Sequence, residues 1–320
     1  MMDDQALSEA QATSLMPWHR EAIERLVGLA AQGKIPHAVL LSGARGTGKT
    51  ASASWLTAQL LCVNKRGHAC GRCDSCLLFQ AGNHGDLRHL SPEEGKRAIG
   101  IDPVRDAIRF LQQTAGYGER KVLVVSPAEA MTTGAANALL KTLEEPSGNA
   151  IILLVSERPG DLPATVRSRC QTFVLPSPTQ SESRLWLEQH SQFNVTDCAR
   201  AIALAPEQPM TALQLLELNL LDEWETAAAL CVSLIEGKIT PNSAADQLNK
   251  WEPDALLLLM NQALESRVRE SRPGNSRLAQ RALRARDKVL RFLSAHRRGL
   301  NLSRDLMVRD CCQLLGSISA

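Results

Sequence analysis

The sequence predicts an α/β domain built on a parallel sheet, followed by two helical domains. Three observations lead there. His37-Ala-Val-Leu-Leu-Ser42, Lys121-Val-Leu-Val-Val125 and Ile151-Ile-Leu-Leu-Val155 are near-continuous β-prone runs, the pattern of strands covered on both faces. Helical stretches separate them, so strands and helices alternate through about residue 175. After Leu175-Pro-Ser-Pro-Thr-Gln-Ser-Glu-Ser183, a Pro- and Ser-rich linker, helical periods repeat without strand-like runs.

Along the chain, the first strand feeds a Gly-rich loop and then Thr50 to Leu61, whose Ala and Leu content suits a helix. Asp102 reads as an N-cap with Pro103 at the first helical position, and Val104, Ala107, Ile108 and Leu111 form its apolar face. A helix over Gly134 to Glu145 stops before Pro146, with Leu139, Leu140 and Leu143 as core residues. A second boundary is expected near residues 220 to 225. The expected division is therefore a disordered tail over 1–16, an α/β domain over 17–177, a small helical domain over 178–222 and a larger one over 223–320.

Of 320 residues, 44% are hydrophobic and 22% charged, which excludes disordered, collagen-like and membrane classes. The longest apolar runs, such as Ala255 to Met260, are far short of the roughly 20 residues that span a bilayer. The first residues carry Asp3, Asp4 and Glu9 and lack the order of a signal peptide, so the chain is expected in the cytoplasm. Aromatics make up only 3%, so base stacking is a poor way for this protein to hold nucleic acid.

Gly43-Ala-Arg-Gly-Thr-Gly-Lys-Thr50 fits the phosphate-loop pattern G-x-x-x-x-G-K-[ST], and it lies between a strand and a helix as that motif requires. Gly43, Gly46 and Gly48 let backbone N–H groups face an anion. Lys49 would reach the β and γ phosphates of ATP or ADP, and the Thr50 hydroxyl would ligate Mg²⁺. Hydrolysis also needs carboxylates at the tip of a later strand. Here the strand at Lys121 to Val125 runs into Ser126-Pro127, a hydroxyl and an imino acid. Glu129 is expected on the outside of the following turn. Binding without efficient turnover is the consequence.

Four of nine cysteines (Cys62, Cys70, Cys73 and Cys76) fall within 15 residues. In a reducing compartment such a cluster points to metal, and four thiolates close a tetrahedron around structural Zn²⁺ with no open position for water. The competing occupant is an iron–sulfur cluster, against which Gln80 stands where the next cysteine of a ferredoxin run would be. A redox role for Cys70 and Cys73 is the weakest option. His68 and His84 are alternative ligands, each more simply read as an exposed loop residue. A zinc module is thus expected over 62–84.

The cysteines behind a phosphate loop, Asn137-Ala-Leu-Leu-Lys-Thr-Leu-Glu-Glu-Pro146 and Ser168-Arg169-Cys170 together resemble the clamp-loader branch of the AAA+ ATPases. The resemblance covers most of residues 17 to 175. It implies a RecA-like AAA+ domain with a parallel sheet and a zinc insertion, a small helical lid and an all-α C-terminal collar. It further implies a subunit of a bacterial replicative DNA polymerase holoenzyme that is not catalytic alone. Its partners would be the ATP-hydrolysing tau or gamma subunits and delta in a hetero-pentamer, with the sliding clamp and primed DNA reached through that complex. Arg169 would act in trans as an arginine finger on ATP held by a neighbouring subunit, Arg167 being the fallback. Met210 falls where motor subunits place a nucleotide-sensing Arg. The competing readings are a self-sufficient AAA+ ATPase of the motor or helicase-loader type and a P-loop kinase for a small molecule.

The net charge of +2 conceals polarity. Between Arg267 and Arg309, 12 Arg and Lys288 face only Glu270, Asp287 and Asp305. Such a face suits DNA phosphates, or salt bridges to neighbouring subunits and solvent, which is the reading the spacing favours.

Overall fold

The computed structural model describes residues 15–64, 68–146, 148–270, 276–297 and 303–318. The expected acidic tail lies outside them up to residue 14. Met16, at its expected end, is fully buried. The described residues form two compact units, one of residues up to Ser183 together with Glu207–Thr211, the other of Arg184–Pro206 and the residues from Ala212 onward.

The first unit is α/β. It runs α1 (Arg20–Ala31), β1 (Ala38–Ser42), α2 (Lys49–Leu61), α3 (Asp74–Gln80), β2 (Leu87–Leu90), α4 (Ile101–Leu111), β3 (Val122–Val125), α5 (Thr133–Glu144), β4 (Ile151–Ser156), α6 (Ala164–Arg167) and β5 (Gln171–Val174). The five strands pair in parallel in the order β2-β3-β4-β1-β5, with Leu40 opposite both Leu154 and Thr172. Every residue of β1, β3 and β4 is buried, as the continuous apolar runs require. Alternate side chains feed opposite faces. Val39, Leu41, Val122, Val124, Ile151 and Leu153 meet α1 and α2, while Leu40, Leu123, Val125, Ile152 and Leu154 meet α4 and α5.

Local chemistry fixes the helix starts. Thr132 caps α5 by accepting the Ala135 N–H. Asp102 does not cap α4. The extended residue Gly100 precedes its first turn, because Ile99 is held in a bridge to Met131 and accepts the Thr132 N–H at 3.0 Å.

One buried ion pair ties the edge strand to the sheet. Asp86, just before β2, accepts from the Gly116 and Tyr117 N–H groups at 2.8 Å each and from Lys121 Nζ at 3.2 Å. The two side chains are 2% and 6% exposed. Burial alone would raise the Asp86 pKa, but these N–H groups and the Lys121 ammonium hold it below the usual carboxylate range. Its stabilisation is therefore present above about pH 3.8 and lost as pH falls through the lower folded value. Asp86→Asn leaves Lys121 buried without its counter-charge. We expect a loss of about 3 kcal/mol in urea unfolding at pH 7.

The second unit is helical. It comprises α7 (Gln180–His190) from Arg184, α8 (Val195–Leu204), α9 (Pro209–Glu217) from Ala212, α10 (Leu221–Ile235), α11 (Pro241–Leu248), α12 (Pro253–Glu270), α13 (Ser276–Arg297) and α14 (Arg304–Gly316). Its core gathers Trp224, Cys231, Leu234, Leu256, Met260, Val289, Met307, Cys311 and Leu315, joined by Leu204 and Leu215. Arg200 binds Asp197, Asp222 and Glu225, fastening α8 to α10. No helix among the described residues is long and apolar enough to cross a membrane.

Candidate nucleotide loop, cysteine cluster and exposed arginine

The phosphate loop leaves β1 and ends at Gly48, whose φ of +83° makes a left-handed start to α2 that a side chain would resist. Gly46 also has positive φ, at +69°, and its carbonyl accepts the Met210 N–H at 3.0 Å. A side chain on Gly46 would strike Gln208 and Thr211, and one on Gly48 would strike Met16. The loop is therefore enclosed by residues distant in sequence. Trp18 Nε1 adds a hydrogen bond to the Thr47 carbonyl at 2.9 Å.

Lys49 is 1% exposed. Its Nζ donates to the Ala44 carbonyl within the loop at 2.6 Å and lies 3.9 Å from Glu157 Oε1, just beyond β4. His19 stays neutral beside it. Burial, with the Lys49 charge adding, lowers its pKa to about 3, and its Nδ1 pairs with Ser52 Oγ at 2.8 Å. Thr50 Oγ1 stands 3.5 Å from Ser126 Oγ at the tip of β3, so a hydroxyl occupies the place where a carboxylate would hold Mg²⁺ through its shell. Glu129 does not sit on the outside of the turn. Its side chain is 3% exposed and accepts the Glu157 and Arg158 N–H groups at 3.0 and 3.1 Å, which binds it to the end of β4. Sequence reading missed Glu157, because only the sheet order brings β4 beside the loop.

The four cysteines converge. Cys62 closes α2, Cys73 precedes α3, Cys76 lies in its first turn, and Gly71 with φ +67° bends the chain between Cys70 and Cys73. All four sulfurs lie within 4.8 Å of one another. A regular tetrahedron of bonds near 2.3 Å has edges of about 3.8 Å, so a four-coordinate ion fits after small inward shifts. The Cys70 N–H points at Cys62 Sγ at 3.4 Å and the Asn64 amide at Cys70 Sγ at 3.5 Å, both suited to thiolate. The Arg72 backbone N–H and the Asn64 amide hold the Cys70 thiol down at about 6. Burial pushes Cys76 up to about 12, so an ion would have to displace that proton. His68 is exposed. His84 is not an exposed loop residue: it is buried, joined to Ser75 Oγ at 2.8 Å and to the Asp86 N–H at 3.0 Å, and its pKa is lowered by burial.

Arg169 follows α6 and is about one-third exposed. Its Nε donates to Glu144 Oε1 at 2.6 Å and its Nη1 to the Thr165 carbonyl at 2.9 Å. Glu144 ends α5, so the helix carrying Leu139 and Leu143 in the core also anchors this guanidinium. Arg167 is exposed.

The family described as "DNA polymerase III, delta subunit" matches residues 18–179. The DNA polymerase III subunit delta' of Pseudomonas aeruginosa is 43% identical over 201 residues, which is 62% of this chain and 56% of that protein. The same-named protein of Escherichia coli is 37% identical over 68% of this chain and 65% of its own length, and that of Bacillus subtilis 31% identical over 72% and 67%. This chain thus spans somewhat less than two thirds of the first two relatives. Among solved structures, a DNA polymerase III gamma subunit-related protein of Thermotoga maritima aligns over 94% of this chain and all of that one, at 19% identity and a TM-score of 0.49.

Proposed function

The chain belongs to the family of DNA polymerase III delta' subunits, and on that premise we propose that it is a non-hydrolysing stator of a clamp loader. In this reading it holds Arg169 against ATP bound by a neighbouring motor subunit while the complex opens a sliding clamp and places it on primed DNA. Its partners are the tau or gamma ATPase subunits and delta in a hetero-pentamer. Residues 17–177 form the AAA+ domain, 178–222 the lid and 223–320 the collar.

The observation that carries the non-hydrolysing part is the end of β3. Thr50 faces the Ser126 hydroxyl, and Glu129 is turned away into bonds with β4. On this reading neither Ser126 nor Glu129 supplies the carboxylate that metal or attacking water would need. Gly43, Gly46, Gly48, Lys49 and Thr50 remain competent to cradle ATP or ADP with Mg²⁺ as a static ligand. Glu157 competes with phosphate for Lys49, since opposite charges about 4 Å apart interact by about 1 kcal/mol or more. We expect the purified chain to show no ATP turnover above background, and Glu157→Gln to tighten nucleotide binding roughly three- to tenfold by titration calorimetry. Measurable turnover that vanishes with Lys49→Ala would instead favour a self-sufficient ATPase.

Cys62, Cys70, Cys73 and Cys76 would hold a structural zinc ion. It contributes no chemistry to nucleotide or DNA and fastens α3 to the end of α2. Arg169 supplies a permanent charge, because a guanidinium does not deprotonate, and its planar fork suits a transferring phosphoryl group. Glu144 and the Thr165 carbonyl would set its orientation before a partner arrives.

A further inference from the structure

We propose that the groove between α13 and α14 binds the phosphate backbone of DNA. The groove measures about 370 Å³. Arg281, Arg284, Lys288 and Arg291 line it from α13, and Leu314 and Ser317 from the end of α14. The four cations recur at helical spacing, which places them along one side of α13 over about 15 Å. All four are exposed, and none has an ion-pair partner among the described residues.

Nothing among the described residues accounts for this stripe. Arg286, on the side of α13 that meets α12, is satisfied by Glu265 at 2.6 Å and Asn261 at 3.2 Å. On α4, exposed cations are interleaved with acids, Arg105 with Asp102 and Arg109 with Asp106. Along the groove, neighbouring cations sit three and four residues apart and repel, with Asp287 as the one acid in the lining among the described residues. A polyanion relieves that repulsion. The proposal rests on the reading that this chain works on DNA, and DNA supplies phosphates at regular spacing. Among the described residues no aromatic side chain lines the groove, so binding is through phosphates and indifferent to base sequence.

The test uses the full chain and a fluorescent oligothymidylate, with anisotropy recorded from about 50 to 200 mM salt. Four contacts to a single strand predict a log–log salt slope near −3. Arg284→Glu with Lys288→Glu should make the slope shallower by about 1.4 and weaken low-salt binding at least about tenfold. Arg20→Glu with Arg25→Glu on α1, the same change in net charge, should shift binding by less than about twofold. Circular dichroism confirms that both variants are folded. Wild-type binding by the groove variant, or equal loss in the α1 variant, overturns the proposal. So does polyglutamate that competes as well as oligothymidylate at equal charge, which would make the groove a site for acidic protein. Assembly with the partner subunits and Arg169-dependent ATPase are read separately, so failure here leaves the stator reading standing.

Discussion

Cys73→Ser is expected to remove about one zinc ion per chain and to lower the melting temperature of the α/β unit by about 10 °C. The sulfurs of Cys62 and Cys76 are buried, so an incomplete ligand set leaves thiol groups crowded within 4.8 Å with no ion to bind them. A structural metal also couples the conformation of its loop to folding. Cys62 lies at the end of α2 and Ser75 of α3 donates to the Leu61 carbonyl at 2.7 Å, so loosening the knuckle loosens the helix behind the phosphate loop. A loss of roughly 4 kcal/mol, within the range expected for loss of a structural metal, corresponds to about 10 °C for a unit of this size. Metal analysis and calorimetry check it. Fewer than about 0.5 zinc per wild-type chain, or an iron–sulfur absorbance, would refute the assignment.

On the proposed stator reading, Arg169→Ala is expected to abolish most DNA-stimulated hydrolysis at the one ATP site it would face in a reconstituted complex. Arginine fingers typically contribute a factor of about 10³ or more at their site. The isolated chain should hardly notice the change, since Arg169 and Glu144 are both partly exposed and such pairs contribute about 0–1 kcal/mol. Arg169→Lys keeps the charge but loses the fork that both Glu144 and a phosphoryl group engage, so it should recover only part of the rate. Nucleotide binding by the neighbouring subunit should persist in both variants, because the finger acts on charge that develops during transfer.

What the sequence revealed and what it hid follow from how local each signal is. Strands β1, β3 and β4 were legible because they lie inside the sheet and must be apolar throughout. Strands β2 and β5 were not. They are the edges, and in Gln171–Val174 only Phe173 is buried, which reads as a loop. The phosphate loop and the cysteines were legible because each motif is contiguous or nearly so. Asp102 and Pro103 imitated a helix start, but the bridge from Ile99 to Met131 fixes the chain two residues earlier. The company kept by the loop was hidden for a similar reason. Met16, Glu157 and the pair Gln208 and Thr211 come from three separate segments, and only packing brings them to Gly46, Gly48 and Lys49. Glu129 showed the reverse error: four residues past a strand it looked external, yet the Glu157 and Arg158 N–H groups just beyond β4 draw it in.

Charge was equally instructive. The basic surplus between Arg267 and Arg309 was visible as a count, but only the packing of α13 separates Arg286, held by Glu265, from the four cations that line the groove.

The most direct test of the stator reading is the DNA-stimulated ATPase of complexes assembled with wild-type, Arg169→Ala or Arg167→Ala chains, alongside the isolated chain. The reading predicts no turnover by the isolated chain, normal assembly of both variants, normal activity with Arg167→Ala and a severe loss with Arg169→Ala. A fully assembled Arg169→Ala complex that hydrolyses ATP at the wild-type rate would contradict it.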